Sequence, residues 1–335
     1  MEAVRSILVV RLSSIGDIIL TTPVVRWLRV RWPEAKIDFC TRAPFLPLLA
    51  GSPRLSGVYS PESLPASSSY DLVVDLQNNR RSHALLGRVG AKKTVRYHKG
   101  NWKKWILVHW KIDLYGEAPS VVERYGSSLL GLGIKVDDSG CELWPSASDT
   151  SLADGILPGE GKVLAVCFGA RHFTKRWPPR RFAEVILGIL NAVPSLRVVL
   201  LGGEDDAAHA EEIMGLLPAG VAGSVRNLAG ACSLMETGAL LQRSDAVLTN
   251  DTGLMHMASA FQKRLFVLFG SSSLAFGFLP YRSTFELFEV SGLGCRPCSH
   301  IGRERCPKGH FRCMLDIPPE RVSDRIIAFL GGAQR

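Results

Sequence analysis

The chain has 335 residues, 46% hydrophobic and 21% charged, the proportions of an ordinary globular protein with room for two cores. Its longest apolar runs fall well short of the roughly 18–20 residues that span a membrane, and the opening MEAVRSILVVRL holds four consecutive apolar residues and no small-residue cleavage site, so a cytoplasmic protein is expected. The net charge of +9 calls for an anionic partner (nucleic acid, membrane surface or acidic substrate), and residues 80–112, with ten Lys and Arg and no acid, account for the whole excess.

In chain order, SILVVRL (6–12) reads as a strand and residues 17–31 as a helix in which Pro23 is tolerable only near the first turns. KIDFCT (36–41) and YDLVVDL (70–76) read as further strands. Short Val/Ile/Leu runs alternating with longer mixed segments imply βαβ units, hence a parallel sheet covered by helices on both faces. Residues 139–162, rich in Ser, Gly, Pro and Asp, read as a linker with a boundary near 155, dividing the chain into 1–155 and 156–335. The pattern then restarts. KVLAVCF (162–168), LRVVLLG (196–202), DAVLTN (245–250) and RLFVLFG (264–270) are strands, the last clear one being 264–270. Helices are expected near 179–192, 205–217, 233–243 and 252–261, with PPERVSDRIIAFL (318–330) as a terminal helix. Two α/β halves with a cleft between them follow.

Ligands of open parallel sheets sit beyond the carboxyl ends of the strands, and three strand-to-helix turns there are chemically loaded. RLSSIGDIIL (11–20) has one Gly where a dinucleotide fingerprint needs three, and no phosphate-binding G-x-x-x-x-G-K-[ST] occurs anywhere. Ser14-x-x-Asp17 fits a capping box, so Asp17 either caps a helix or acts as a base. In the second turn, Asn250-Asp251-Thr252-Gly253 ends a strand and a helix begins at once. The free N–H groups of Thr252, Gly253 and Leu254 suit an anion, and His256 lies one turn from Thr252. Alternatively, Asp251 or Thr252 is an N-cap and His256 a core histidine. The third turn, GARHFTKRWPPRRF (169–182), offers Lys175 as a point charge for a pyrophosphate, or is a solvated basic loop.

Cys40, Cys141, Cys167 and Cys232 are scattered and read as small buried hydrophobes. Cys295, Cys298, Cys306 and Cys313 cluster, with His300 and His310 nearby: one C-x-x-C plus two spread thiols, an imperfect zinc-ribbon match that leaves structural zinc, disulfides and free thiols open. In the basic segment Trp102, Trp105 and Trp110 interleave with Lys103, Lys104 and Lys111, a composition shared by membrane-surface contacts and by solvated faces over buried tryptophans. A nucleic-acid-binding protein is the competing class suggested by the charge. Against it, the cations concentrate in one segment and no recognised nucleic-acid motif occurs.

Together RLSSIGDIILTTPVVRWLRVRWPEAKIDF, TKRWPPRRFAEV and SDAVLTNDTGLMHMASA resemble glycosyltransferase family 9, best known for ADP-heptose–lipopolysaccharide heptosyltransferases, in order and spacing over most of the chain. The resemblance implies a GT-B fold, two Rossmann-like domains facing across a cleft, with 1–155 on the acceptor side and 156–335 binding the nucleotide-sugar. It implies Asp17 as general base and Lys175 at the donor phosphates. Asp251, Thr252, Gly253 and His256 would form the donor-binding turn, with Glu204 near the nucleoside. No acceptor residue carries over from the family; the first loop and the basic segment supply the candidates Ser14, Arg80, Arg81, Lys103 and Lys104. The implied reaction is an inverting displacement. Asp137-Asp138 and Asp205-Asp206 fit a metal-holding Asp-x-Asp poorly, so no catalytic cofactor is expected, and zinc at the four clustered cysteines is the one metal candidate. The expected partners are an ADP-sugar donor, the lipopolysaccharide core and the cytoplasmic face of the inner membrane, with no nucleic acid. A GT-B enzyme using another nucleotide-sugar is the alternative.

Overall fold

Ile7, Leu8, Val9 and Val10 are all fully buried, although successive strand residues point to opposite faces. Ile7 and Val9 join one apolar cluster and Leu8 and Val10 another, as a sheet covered on both sides requires. The computed structural model describes residues 4–65, 68–116 and 119–331. Among these, β1 (Ser6–Val10), β2 (Lys36–Cys40), β3 (Gly57–Tyr59), β4 (Ser69–Asp75) and β5 (Gly90–Arg96) form a sheet of order β3-β2-β1-β4-β5. A second sheet contains β6 (Val163–Cys167), β7 (Arg197–Leu200), β8 (Val225–Asn227), β9 (Ala246–Asn250), β10 (Arg264–Leu268) and β11 (Phe285–Phe288), in the order β11-β10-β9-β6-β7-β8. The pairings of both sheets are parallel. Strand order reverses between β1 and β4 in the first sheet and between β6 and β9 in the second. These are the crevices where such sheets take ligands. Ile7, Val9, Val163 and Ala165 belong to a single core cluster that runs through both halves. No helix among the described residues is long and apolar enough to cross a membrane.

The helix expected over 17–31 is two helices, Ile15–Ile19 and Thr22–Arg31. The Thr21 and Thr22 hydroxyls donate back to Ile18 O and Ile19 O, 2.6 and 2.8 Å away, and Pro23 falls in the first turn of the second helix, where its missing N–H leaves nothing unpaired. The linker composition of 139–162 hides a helix, Ala147–Ile156. Ser146 and Asp149 exchange hydrogen bonds across its first turn, so the polar residues there mark a helix start. The boundary near 155 falls in the last turn of this helix. The short strands β3, β8 and β11 lacked a long apolar run, and β5, reading GAKKTVR, is an edge strand with exposed lysines. Cys40, Cys141 and Cys167 are buried, and burial pushes the thiols of Cys40 and Cys141 up to about 12.

One buried guanidinium fastens the chain where it leaves the first half. Arg26, 6% exposed, grips Asp137 with two hydrogen bonds of 2.7 Å and also donates to Ser139 O and Gly140 O. Glu142 lies 3.2 Å from Arg26 and is held by Arg54. Asp138 pairs at 2.8 Å with Arg282 of the second half. The adjacent acids 137 and 138 are therefore ion-pair partners on opposite sides of the crossing. Arg26→Ala removes the cation shared by the half-buried Asp137 and Glu142 and the donor to Ser139 O and Gly140 O, and should destabilise the protein by about 2 kcal/mol in urea unfolding, whereas Arg26→Lys, which keeps the charge and loses the fork, should cost less.

Candidate active site

The chain leaves β1 through Arg11, which is 7% exposed. Its guanidinium donates to Ser13 O at 3.0 Å and to Leu76 O, beyond β4, at 2.7 Å. The remaining nitrogen lies 2.6 Å from the Asp17 carboxylate. Asp17 also accepts from the Ser14 N–H at 3.1 Å and the Ser14 hydroxyl at 2.9 Å. Burial would raise the Asp17 pKa; the Arg11 charge and the two Ser14 hydrogen bonds overcome it and hold the carboxyl below the ordinary range. The carboxylate stays ionised yet a fifth of its side chain remains open. Ser14 N–H to Asp17 is one half of a capping box, so cap geometry orients the same carboxylate that faces the cleft.

Across the cleft stands the helix Gly253–Ala260, which begins at the end of β9. A Cβ at Gly16 would run into the ring of His256, and a Cβ at Gly253 would come within 2.9 Å of Ile15. Both glycines are therefore demanded by close approach between the halves. His256 is 5% exposed, and its Nδ1 is buried without a hydrogen-bond partner. Burial pushes its pKa down to about 4, against the pull of the Asp251 and Asp17 charges and with help from Lys175.

Asp251 is 6% exposed and sits 2.6 Å from Lys175 Nζ, joining the ends of the neighbouring strands β6 and β9. The loop bearing Lys175 is pinned by Asn250, whose Nδ2 donates to Phe168 O and whose Oδ1 accepts from Trp177 N at 3.3 Å. Thr252 is the N-cap residue of the helix and makes no side-chain cap bond. Glu204 begins a short turn at the end of β7, exposed, with its backbone against Gly230. Since β9, β6 and β7 are neighbours in the sheet, Asp251, Lys175 and Glu204 line one edge. Asp206 accepts from Gly203 N at 3.1 Å, so the second acidic pair is also in structural use.

Sequence reasoning missed Arg11, Asn250, Lys99 and Arg124. Burial lowers the pKa of Lys104 to about 8, with Arg124, Lys99 and Arg11 adding to the effect and Asp17 opposing it. Lys99 is lowered by burial and by Arg11. Lys99 and Lys104 thus form one electrostatic group with Arg11 and Asp17, and burial, with Lys104 and Lys175 adding to it, lowers the pKa of His300. Of the acceptor candidates, Ser14 and Lys104 join this group. Lys103 instead donates to Leu114 O at 3.2 Å and lies over the rings of Trp102 and Tyr115. Arg80 and Arg81 are exposed on the first turn of the helix Arg80–Leu86.

For Cys295, Cys298, Cys306 and Cys313 the sequence left structural zinc, disulfides and free thiols open. All four are free thiols, and among the described residues no group of three or more His, Cys, Asp or Glu is arranged to hold a metal. Cys313 is drawn into the apolar core with Met314 and Phe311, and Cys306 packs against it. Cys295 Sγ lies 3.8 Å from His310 Nε2.

Two open parallel sheets in contact through the loops at their switch points, one presenting a carboxylate and the other a Lys–Asp pair at a helix N-terminus, define the GT-B class of glycosyltransferase. The model of glycosyltransferase family 9 (heptosyltransferase) matches residues 65–307, and the chain belongs to that family. It is 27% identical to lipopolysaccharide heptosyltransferase 2 of Salmonella typhimurium, with 97% of this chain and 98% of that protein covered. The structure of E. coli ADP-heptose lps heptosyltransferase II is similar with a TM-score of 0.76 at 24% identity, covering 98% of this chain and 100% of that one. That of the family 9 glycosyl transferase from Veillonella parvula DSM 2008 gives 0.80 at 19% identity, with 98% of each chain covered.

The depressed imidazole pKa makes the stability of the fold depend on pH. With a folded pKa of about 4 and an unfolded one of about 6.5, the unfolded chain binds more protons between those values. The His256 contribution is therefore fully present above about pH 6.5 and is lost as pH falls towards 4. Between about pH 7 and 4.5, His256→Gln should lose less stability than the wild type by on the order of 2 kcal/mol in urea unfolding. Equal losses would mean that His256 titrates normally.

Proposed function

We propose that the protein transfers a heptose from ADP-heptose to a hydroxyl of the lipopolysaccharide inner core, inverting the anomeric centre, with Asp17 as general base. The observation that carries this reading is the ionised Asp17 carboxylate, paired with Arg11 at 2.6 Å and lying beside the helix whose first turn follows the Lys175–Asp251 pair. The acceptor oxygen attacks the anomeric carbon as its proton passes to Asp17, and the bond from that carbon to the phosphate oxygen breaks to release ADP. Lys175 and the N–H groups of Thr252, Gly253 and Leu254 offset the charge growing on the diphosphate. Asp251 orients Lys175, and Glu204 at the end of the adjacent strand serves the nucleoside. Lys99 and Lys104 suit acidic groups of the acceptor beside the reacting hydroxyl. With this charge supplied by the chain, the reaction needs no metal. The enzyme works in the cytoplasm, at the inner face of the membrane where its acceptor is anchored.

The test is transfer by the purified full chain from ADP-heptose to heptose-deficient lipopolysaccharide, followed as heptosylated product and released ADP. Turnover should survive EDTA, and Asp17→Asn should lower it by about 10²–10⁴-fold. If Asp17→Asn reduced thermal stability and left turnover intact, the residue would be a helix cap and nothing more. Turnover with a UDP-sugar in place of ADP-heptose would favour the alternative donor.

A further inference from the structure

The helix Asn101–Trp110 inverts the usual arrangement of a surface helix. Trp102, Trp105 and Trp110 are 60%, 50% and 61% exposed, and Ile112 and Leu114 just beyond are 50% and 40% exposed. At 3.6 residues per turn, Trp102, Trp105, Ile106, His109 and Trp110 share one face. On the other side Leu107 is buried against Ala275 and Phe276, and Lys103 and Lys104 are half-buried. A helix meant for water alone puts its lysines out and its tryptophans in. The exposed rings also touch: Trp105 stacks on His109 at 4.6 Å and meets Trp110 edge-on at 5.2 Å, making a continuous aromatic patch.

The charge of the segment names the partner. The 80–112 segment that contains this helix has ten cations and no acid, and Arg80, Arg81, Lys93 and Arg96 are exposed. Rigid rings with an apolar body and a polar edge, carried by so cationic a segment, fit the boundary between headgroups and acyl chains of an anionic bilayer. We propose that this face docks the protein on such a membrane, tryptophans inserted and cations against lipid phosphates. Lys104, on the half-buried side of the same helix, is among the residues assigned above to the acceptor, so docking would hold the cleft mouth at the lipid surface. Delivery of an anchored acceptor to that mouth rests on the proposed function; the binding itself does not.

The experiment is co-sedimentation of the full chain with vesicles of phosphatidylethanolamine and phosphatidylglycerol, and separately with phosphatidylcholine vesicles. Brominated acyl chains report tryptophan insertion by quenching. The wild type should bind the anionic vesicles and be quenched, and added salt should weaken binding. The triple variant Trp102→Ser, Trp105→Ser, Trp110→Ser should bind about tenfold less while keeping the wild-type circular dichroism and melting temperature. A second variant, Arg80→Gln with Arg81→Gln and Lys93→Gln, should lose the preference for anionic over neutral vesicles. The proposal falls if the wild type binds neither vesicle, or if the triple variant binds as the wild type does. It falls equally if the wild type dimerises through this face without lipid and the triple variant is monomeric.

Discussion

The Arg11 guanidinium is held on three sides, by Ser13 O, Leu76 O and the Asp17 carboxylate, and the geometry of the N-terminal half of the cleft depends on that arrangement. It ties the loop after β1 to the chain beyond β4 across the switch point. It also supplies the charge that, with Ser14, outweighs burial and holds the Asp17 carboxyl below the ordinary range. Ser14 completes the set, orienting the carboxylate with the hydrogen bond of an ordinary helix start. As the proposed base, Asp17 gains from Arg11 a defined position and a defined charge. It gives up some proton affinity in exchange, since a depressed pKa makes a weaker base.

The second half answers with an ion pair of its own. Lys175 and Asp251 meet between neighbouring strands, and Asn250 locks the loop that carries the lysine. In the first half, Lys99 and Arg124 add to the positive potential at Lys104, which Asp17 offsets. Because Gly16 leaves no room between its loop and the His256 ring, these groups are gathered around a narrow space. That positive potential fits the proposed pairing of a nucleoside diphosphate donor with an acidic acceptor.

The parallel-sheet halves and their main strands were legible because doubly buried strands need unbroken Val, Ile and Leu runs, as in SILVV and VLAVC. The edge strand β5 was hidden by its lysines, and the helix Ala147–Ile156 by a start signal made of the same Ser and Asp that mark loops. In the site, Asp17, Lys175 and Asp251 stood out as polar residues at strand ends. Arg11 and Asn250 did not, because their importance lies in backbone carbonyls and N–H groups brought together from β4, β6 and the Trp177 loop, contacts that no local pattern encodes. The cysteine spacing left metal, disulfides and free thiols open, and it could not say that Cys313 is turned into the apolar core. The interleaved Trp and Lys pattern did not reveal that the rings face outward.

The most direct test of the Arg11–Asp17 account is the pH dependence of kcat/KM for heptosyl transfer in Arg11→Gln. Removing the guanidinium removes the charge that lowers the Asp17 pKa, so the acid limb should move up by about one pH unit or more. At alkaline pH, where the carboxylate ionises without help, turnover should recover to within about tenfold of wild type. An acid limb that stays in place while activity falls equally at every pH would contradict the account, reducing Arg11 to a structural tie.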